Sequence, residues 1–496
     1  MRTMVRGGWV VGYREPTHTL IRNGVVVFED DTIIHVGREF DGDVDREIDG
    51  KGKLVAPGFI DTHVHCGHQA MLRLITDVGR PDLFGQPFLE FTVPRKGTVM
   101  AGDPRYLKRE QRNESGTSTW SDFTVVELLR NGITTFLEFG ARAHVQESLV
   151  ASIERFGTRG YLAAGYNIGR WVGGENGRLE RVIDLEEGQV LFDEAVDFVE
   201  KFDGSAGGRA KGALSPNGVE LCSTDQLRNT AEVAKDLGVP IAIHAAYNVM
   251  EFYDILREHM LTPIELLEKI GMLQLGPTVN IGHGNLVAEH PRLAYSGGRD
   301  IELMGHYGCS VSHCSVNLVR RARYLDHWKK YKEAGVNLCL GTDTTPRDMM
   351  MQMRTASYFG KVLAKDLHAA PASEVFEAAT LGGARSLGRG DLGRLAPGAK
   401  ADIILIDLTG RDSLRYGPVR DPIKSVVDSG IGDDVDTVIV DGRICMENRV
   451  IPDLDLDALR IAAQESGETM WKNWSDWDPM ERTAEEMSPW SYPLEP

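Results

Sequence analysis

Four short apolar runs, far apart in the chain, each end in side chains able to bind a metal. They are Pro57-Gly58-Phe59-Ile60-Asp61-Thr62-His63-Val64-His65, Pro240-Ile241-Ala242-Ile243-His244, Val279-Asn280-Ile281-Gly282-His283 and Leu338-Cys339-Leu340-Gly341-Thr342-Asp343. Runs this short and this apolar read as strands buried on both faces, which implies a parallel sheet covered by helices. Strand-like and helix-like stretches alternate between them, the pattern of repeated βα units. Eight strands are expected, near Val55–Ile60, Thr134–Phe139, Gly160–Gly165, Lys211–Leu214, Pro240–Ile243, Thr278–Ile281, Cys309–Ser312 and Val336–Leu340. Helices fit between several of them, among them Thr224–Leu237 with Gly238 as its stop. The expected fold class is α/β, a (β/α)8 TIM barrel, with the four polar ends on the rim where barrels place catalytic groups.

A second β component is expected from both ends of the chain. Gly24–Phe28 and Thr32–Val36 are β-branched and separated by Asp30-Asp31; Ala401–Leu408 and Thr437–Arg443 have the same character. Isolated hairpins are marginal, so both sets are expected in one small β-sandwich domain made of 1–56 and 393–450, around a barrel of 57–392. The remaining tail, 451–496, is acidic from Ala463 onward and carries Trp471, Trp474, Trp477 and Trp490, half of the eight tryptophans. Exposed tryptophans are costly in water, so the tail is expected to pack on the barrel or on a partner subunit. The long intervals Cys66–Ser121 and Gly165–Gly207 exceed ordinary βα loops and are expected to shape the pocket.

The net charge of −18 argues against nucleic acid and anionic membrane surfaces as partners. No run of 18 apolar residues suggests a membrane span, and Met1–Pro16 lacks the apolar core of a signal peptide. The six cysteines are scattered and form no CxxC pair, as expected for reduced thiols in a cytoplasmic enzyme. Barrels of this size often form dimers or higher assemblies, so a homo-oligomer is expected.

His63 and His65 stand at i and i+2 of a strand, so both imidazoles point to one side. A lone His-x-His, or a single His after a strand, is more often structural than a ligand. Four such segments converging on one rim read instead as a metal site, because ligand type, count and place agree.

These motifs resemble the amidohydrolase superfamily of metal-dependent hydrolases: Pro-Gly-Phe-Ile-Asp-x-His-x-His at 57–65, Ile-His at 243–244, Gly-His at 282–283 and Gly-Thr-Asp at 341–343. Gly393-Arg394-Leu395-Ala396-Pro397-Gly398-Ala399-Lys400-Ala401-Asp402 is similar to that family's C-terminal return. Ser312-His313-Cys314-Ser315-Val316-Asn317-Leu318 and Ser215-Pro216-Asn217-Gly218-Val219-Glu220-Leu221-Cys222-Ser223 resemble motifs of its adenosylhomocysteine deaminases and triazine hydrolases. The resemblance implies that His63, His65, His244 and Asp343 hold one divalent cation per chain, zinc or else iron, with His283 beside it. Such a cation lowers the pKa of a bound water from 15.7 to about 7. Asp343 and His283 would then act as proton acceptor and as orienting or oxyanion-stabilising group. Lys211 lies early in the fourth barrel strand, too early to bridge a second ion.

Two residues depart from the deaminase pattern. Those deaminases carry a Glu three residues after the fifth-strand His, where this chain has Tyr247; and Asn217 stands where they have a His. A phenol is a poor proton shuttle at neutral pH but can polarise a carbonyl. Glu251 is the nearest carboxylate that could take over. The expected reaction is therefore hydrolysis of an amide, urea or carbamate C–N bond in a small, partly apolar molecule. The alternatives are a deaminase or dehalogenase of a nitrogen heterocycle (adenosine-like, triazine or pterin-like), and a non-catalytic binding member of the fold. Catalytic roles are expected for Asp343, His283 and Tyr247, and substrate contacts for Asn217, His313, Asn317, His68, Trp120 and Glu251. Met349, Met350, Met351 and Met353 suggest an apolar pocket wall or, equally, the packing of a helix into the core.

Overall fold

The computed structural model describes residues 1–67, 69–74, 76–78, 117–173, 179–288, 290–409, 414–476, 478 and 481–495. The chain opens with four strands: β1 (Arg2–Arg14), β2 (Thr17–Glu29), β3 (Thr32–Gly37) and β4 (Arg46–Pro57). Then come β5 (Phe59–Val64), β6 (Ile133–Phe139) and β7 (Arg159–Tyr166), the paired β8 (Gly169–Gly173) and β9 (Leu179–Ile183), and β10 (Ala210–Pro216). β11 (Ile241–Ala245), β12 (Val279–His283), β13 (Ser310–His313) and β14 (Asn337–Leu340) follow, and β15 (Ile403–Asp407), β16 (Val435–Val440) and β17 (Arg443–Met446) come last.

Eight strands pair in parallel in chain order, β5-β6-β7-β10-β11-β12-β13-β14. These strands are buried almost throughout, consistent with a parallel sheet that helices cover. The ends of the sheet meet through an isolated parallel bridge between Val64 and Asp343. The Asp343 N–H donates to the His63 carbonyl at 2.7 Å, and the His65 N–H donates to the Asp343 carbonyl at 3.0 Å. The barrel therefore closes at the residues that carry the candidate chemistry.

β8 and β9 pair with each other, and the remaining strands form one seven-stranded sheet, ordered β17-β16-β15-β4-β1-β2-β3, which joins the two ends of the chain. Its core includes Val5, Val26, Phe28, Val55, Ile403 and Ile439. The expected strand Val55–Ile60 spans two elements. Val55–Pro57 pairs with β15, whereas Phe59 and Ile60 begin the barrel beside β6. The helix Thr224–Leu237 runs as read, with Ser223 capping its start and Gly238 left-handed at φ 67° beyond its end. No local pattern marks β1, whose arginines and glycines interrupt the alternation, or the β8–β9 pair.

The C-terminal helix Leu456–Lys472 lies against helix Thr119–Arg130 and the turn at Gln69–Leu72. Trp120 Nε1 donates to Ser466 Oγ at 3.0 Å, and Trp471 Nε1 donates to the Ala70 carbonyl at 2.9 Å. Trp474 is buried with Met71, Leu72 and Met487, and Trp490 is exposed. Trp477 lies outside the described residues. No helix among the described residues is long and apolar enough to cross a membrane.

Candidate active site

Each of the candidate ligands lies at the end of a barrel strand or within three residues beyond it. His63 is the fifth residue of β5 and His65 follows its end; His244 and His283 close on β11 and β12; Asp343 follows β14. Two overlapping groups, His63–His65–His244 and His63–His283–Asp343, each bring their ligand atoms within 4.8 Å of one another. Asp343 Oδ1 lies 3.3 Å from His65 Nε2 and 3.6 Å from His63 Nε2, and Oδ2 lies 4.0 Å from His283 Nε2. His244 Nε2 is 3.4 Å from His65 Nε2.

The backbone is shaped for this convergence. His283 and Asp343 both sit in the left-handed region, at φ 72° and 58°, a conformation that costs a side-chain-bearing residue energy and recurs at functional sites. The motif glycines make room for His63. A Cβ at Gly341 would stand 2.5 Å from His63 Cβ, and one at Gly282 would stand 2.7 Å from His63 Cε1. Phe139 stacks on the His63 ring at a centroid distance of 3.9 Å.

Several partners fix the ligands from behind. Asp61 accepts from the N–H groups of His63 (3.1 Å) and Thr342 (3.0 Å) and from Thr342 Oγ1 (2.5 Å), tying β5 to the segment before Asp343. Arg347 is wholly buried; it donates to Glu127 Oε2 at 2.7 Å and to the His65 carbonyl at 2.6 Å. Asn317 donates its side-chain amide to Asp343 Oδ2.

The donor set fits a divalent cation. Neither ring nitrogen of the buried His63 has a hydrogen-bond partner among the described residues, and such polar atoms are rarely left orphaned. Burial holds the His65 imidazole down to about 4 and those of His244 and His283 well below their usual range. These rings are therefore neutral at neutral pH, the form that ligates metals.

The other expected contacts fall in different places. The Tyr247 ring lies 5.7 Å from that of His244 and 6.1 Å from that of His283, and its hydroxyl donates to Glu220 Oε1 at 2.8 Å. Asn217 approaches His244 with its backbone carbonyl, while its side-chain amide donates to Asn167. His313 is buried, with its ring 6.0 Å from that of Trp328. Glu251 caps helix Val249–His259, accepting from the N–H groups of Ala246, Tyr247 and Asn248. Trp120 is turned into the tail contact. Met349, Met350 and Met353 belong to the core, and Met351 is exposed. Lys211 is second in β10 and pairs with Asp203 at 2.7 Å. His68 lies outside the described residues.

Sequence reasoning did not single out Asp61, Glu220 or Arg347. Asp61 was legible as part of the β5 motif. Glu220 lies 27 residues from Tyr247 on a short turn, and no local pattern joins the two.

The model of the amidohydrolase family matches residues 54–445. A 5'-deoxyadenosine deaminase of Methanothermobacter thermautotrophicus is 31% identical over 436 residues, covering 86% of this chain and 90% of that protein. A 5-methylthioadenosine/S-adenosylhomocysteine deaminase of Syntrophomonas wolfei is 29% identical over 457 residues, covering 91% and 95%. Among solved structures, a zinc complex of atrazine chlorohydrolase from Arthrobacter aurescens superposes with a TM-score of 0.76 at 21% identity, covering 94% of this chain and all of that one, a likeness of fold.

Proposed function

This chain belongs to the amidohydrolase family, and we propose that it hydrolyses an amide, urea or carbamate C–N bond in a small, partly apolar molecule. It is a hydrolase acting on carbon–nitrogen bonds other than peptide bonds. The observation that carries the amide reading is the placement of Tyr247 and Glu251. Tyr247 stands where the deaminase pattern has Glu, and Glu251 is occupied by three backbone N–H groups. An acyl carbon needs no ring-nitrogen protonation before attack, so that absence is tolerable for an amide.

His63, His65, His244 and Asp343 would hold one cation, with zinc favoured because the structural neighbour carries it and iron also compatible with the donor set. When bound, the cation supplies the field that brings the pKa of water toward neutrality. Asp343 takes the proton from the attacking water and passes it to the departing nitrogen, so that hydroxyl goes to carbon and hydrogen to the amine. His283, kept neutral by burial, donates a hydrogen bond to the developing oxyanion. Glu220 fixes the Tyr247 hydroxyl, which borders the leaving group.

A second reading, hydrolytic deamination of a nitrogen heterocycle, is supported by the deaminase relatives and by the Glu220 carboxyl, which burial holds above its usual range within reach of Tyr247. Product analysis separates the two. Substituted amides and ureas should release an amine and a carboxylate or carbamate; free ammonia from adenosine-like substrates, with no turnover of amides, would replace the first reading by the second. The barrel of 57–392 would carry the whole site, with 1–56 and 393–450 as its β companion and 451–496 as packing, in a cytoplasmic homo-oligomer. The strand-end placement of the ligands and the packing of Trp471 and Trp474 against Ala70, Met71 and Leu72 support the domain division.

A further inference from the structure

Three arginines stand three, four and six residues after Asn317, the residue whose amide holds Asp343: Arg320, Arg321 and Arg323. The segment ends the short helix Ser315–Arg320 and turns sharply at Ala322, which is left-handed at φ 53°. The turn is pinned by the Arg323 N–H donating to the Leu318 carbonyl at 2.8 Å.

Elsewhere in this protein buried arginines are matched by carboxylates. Arg159 pairs with Asp402 and Asp441, and Arg347 pairs with Glu127. Arg323 is 6% exposed, yet neither it nor Arg321 has an ion-pair partner among the described residues, and the Nε of each is buried without a hydrogen bond. Arg323 donates Nη1 to the Tyr247 carbonyl at 2.9 Å, which places it beside the residue that borders His244 and His283. Arg320 donates to the Thr345 carbonyl at 2.7 Å, close to Asp343 in sequence. Burial pushes the Arg321 guanidinium down to about 10 and that of Arg323 down to about 9, and Asp343 is the chief group that opposes this at both. Asp343 is itself committed to the candidate cation. Arg323 is buried and Arg321 half-buried, and a desolvated charge with no carboxylate partner among the described residues is expensive and calls for a counter-ion.

We propose that Arg321 and Arg323 form an anion subsite beside the candidate metal centre, holding a carboxylate or phosphate group of the substrate away from the bond that breaks. Guanidinium forks match either oxyanion in a bidentate way, and a desolvated fork favours them over a neutral isostere. The proposal deepens the reading of this site as a small-molecule hydrolase and rests on it for what the ligand is.

The test measures binding separately from turnover, on the metal-loaded full chain. Calorimetric titrations compare hippurate and phenyl phosphate with the neutral hippuramide, for the wild type, Arg321→Gln and the double variant Arg321→Gln/Arg323→Gln. The wild type should bind one of the anions at least about tenfold tighter than the neutral probe, with the better anion naming the source. The double variant should lose that preference while keeping its metal content and circular dichroism. If the double variant does not fold, Arg321→Gln alone should weaken the preference, since its guanidinium has no ion-pair partner among the described residues to release. Equal binding of charged and neutral probes by the wild type, no measurable binding of either anion, or an undiminished preference in the variants overturns the proposal. Failure of hippurate to be hydrolysed counts against the amide reading alone, because binding is read independently.

Discussion

The backbone carbonyl of Asn217 lies 2.6 Å from His244 Nδ1, and that contact decides which nitrogen of His244 faces the centre. A carbonyl can only accept, so Nδ1 carries the proton and Nε2 keeps its lone pair, turned toward His65 Nε2 at 3.4 Å. The partner is main chain, so the arrangement depends on the end of β10 rather than on the Asn217 side chain. Replacing Asn217 by Ala should therefore leave metal content nearly unchanged, whereas His244→Ala should lower it at least about tenfold. Elemental analysis of the two variants checks this, and loss of metal in Asn217→Ala would contradict it.

The glycine at 341 is a steric requirement of His63. With an added Cβ only 2.5 Å from His63 Cβ, Gly341→Ala should destabilise the fold by about 2 kcal/mol or more and weaken metal retention with it. Thermal unfolding of the metal-loaded and stripped forms measures both. A variant as stable as the parent would show that β5 and the segment before Asp343 are less closely packed than described.

Tyr247→Phe removes the hydroxyl but keeps the ring between His244 and Glu220. If the Tyr247–Glu220 pair borders the leaving group, kcat should fall by roughly 10²-fold with metal content unchanged. Glu220→Gln should fall in the same direction. Unchanged turnover in both would confine the pair to packing.

Buried neutral histidines set an acid limb for stability. Burial holds His313 down to about 4 from an ordinary 6.5, so as pH falls the unfolded chain takes up the proton first. Stability is then complete above about pH 6.5, declines between 6.5 and 4, and levels off below, with this one group contributing on the order of 3 kcal/mol. Denaturant titrations of the metal-free protein at three pH values across that window should show the decline, and His313→Asn should make it shallower, leaving the share of His65, His244 and His283. A wild-type stability constant over the window would contradict the assignment.

The five residues at the barrel rim were legible because each follows an apolar run, and strand direction alone then sends them to one end. The seven-stranded sheet was half legible: β2, β3, β15 and β16 show β-branched runs, whereas β1 carries arginines and glycines that local pattern cannot sort. Long-range polar pairing was not legible at all. Tyr247 with Glu220, Arg347 with Glu127 and the closure of Val64 on Asp343 join residues that no local period relates. Glu251 shows the converse, a carboxylate near the site in sequence that local helix capping claims.

Metal content per chain is the most direct measurement of the central claim, that His63, His65, His244 and Asp343 hold a single divalent cation. It is read by elemental analysis on the wild type and on His63→Ala, after purification without added metal and again after anaerobic reconstitution. The account expects one zinc or iron per chain in the wild type and almost none in the variant. Two ions per reconstituted chain, or full metal retention without His63, would contradict it.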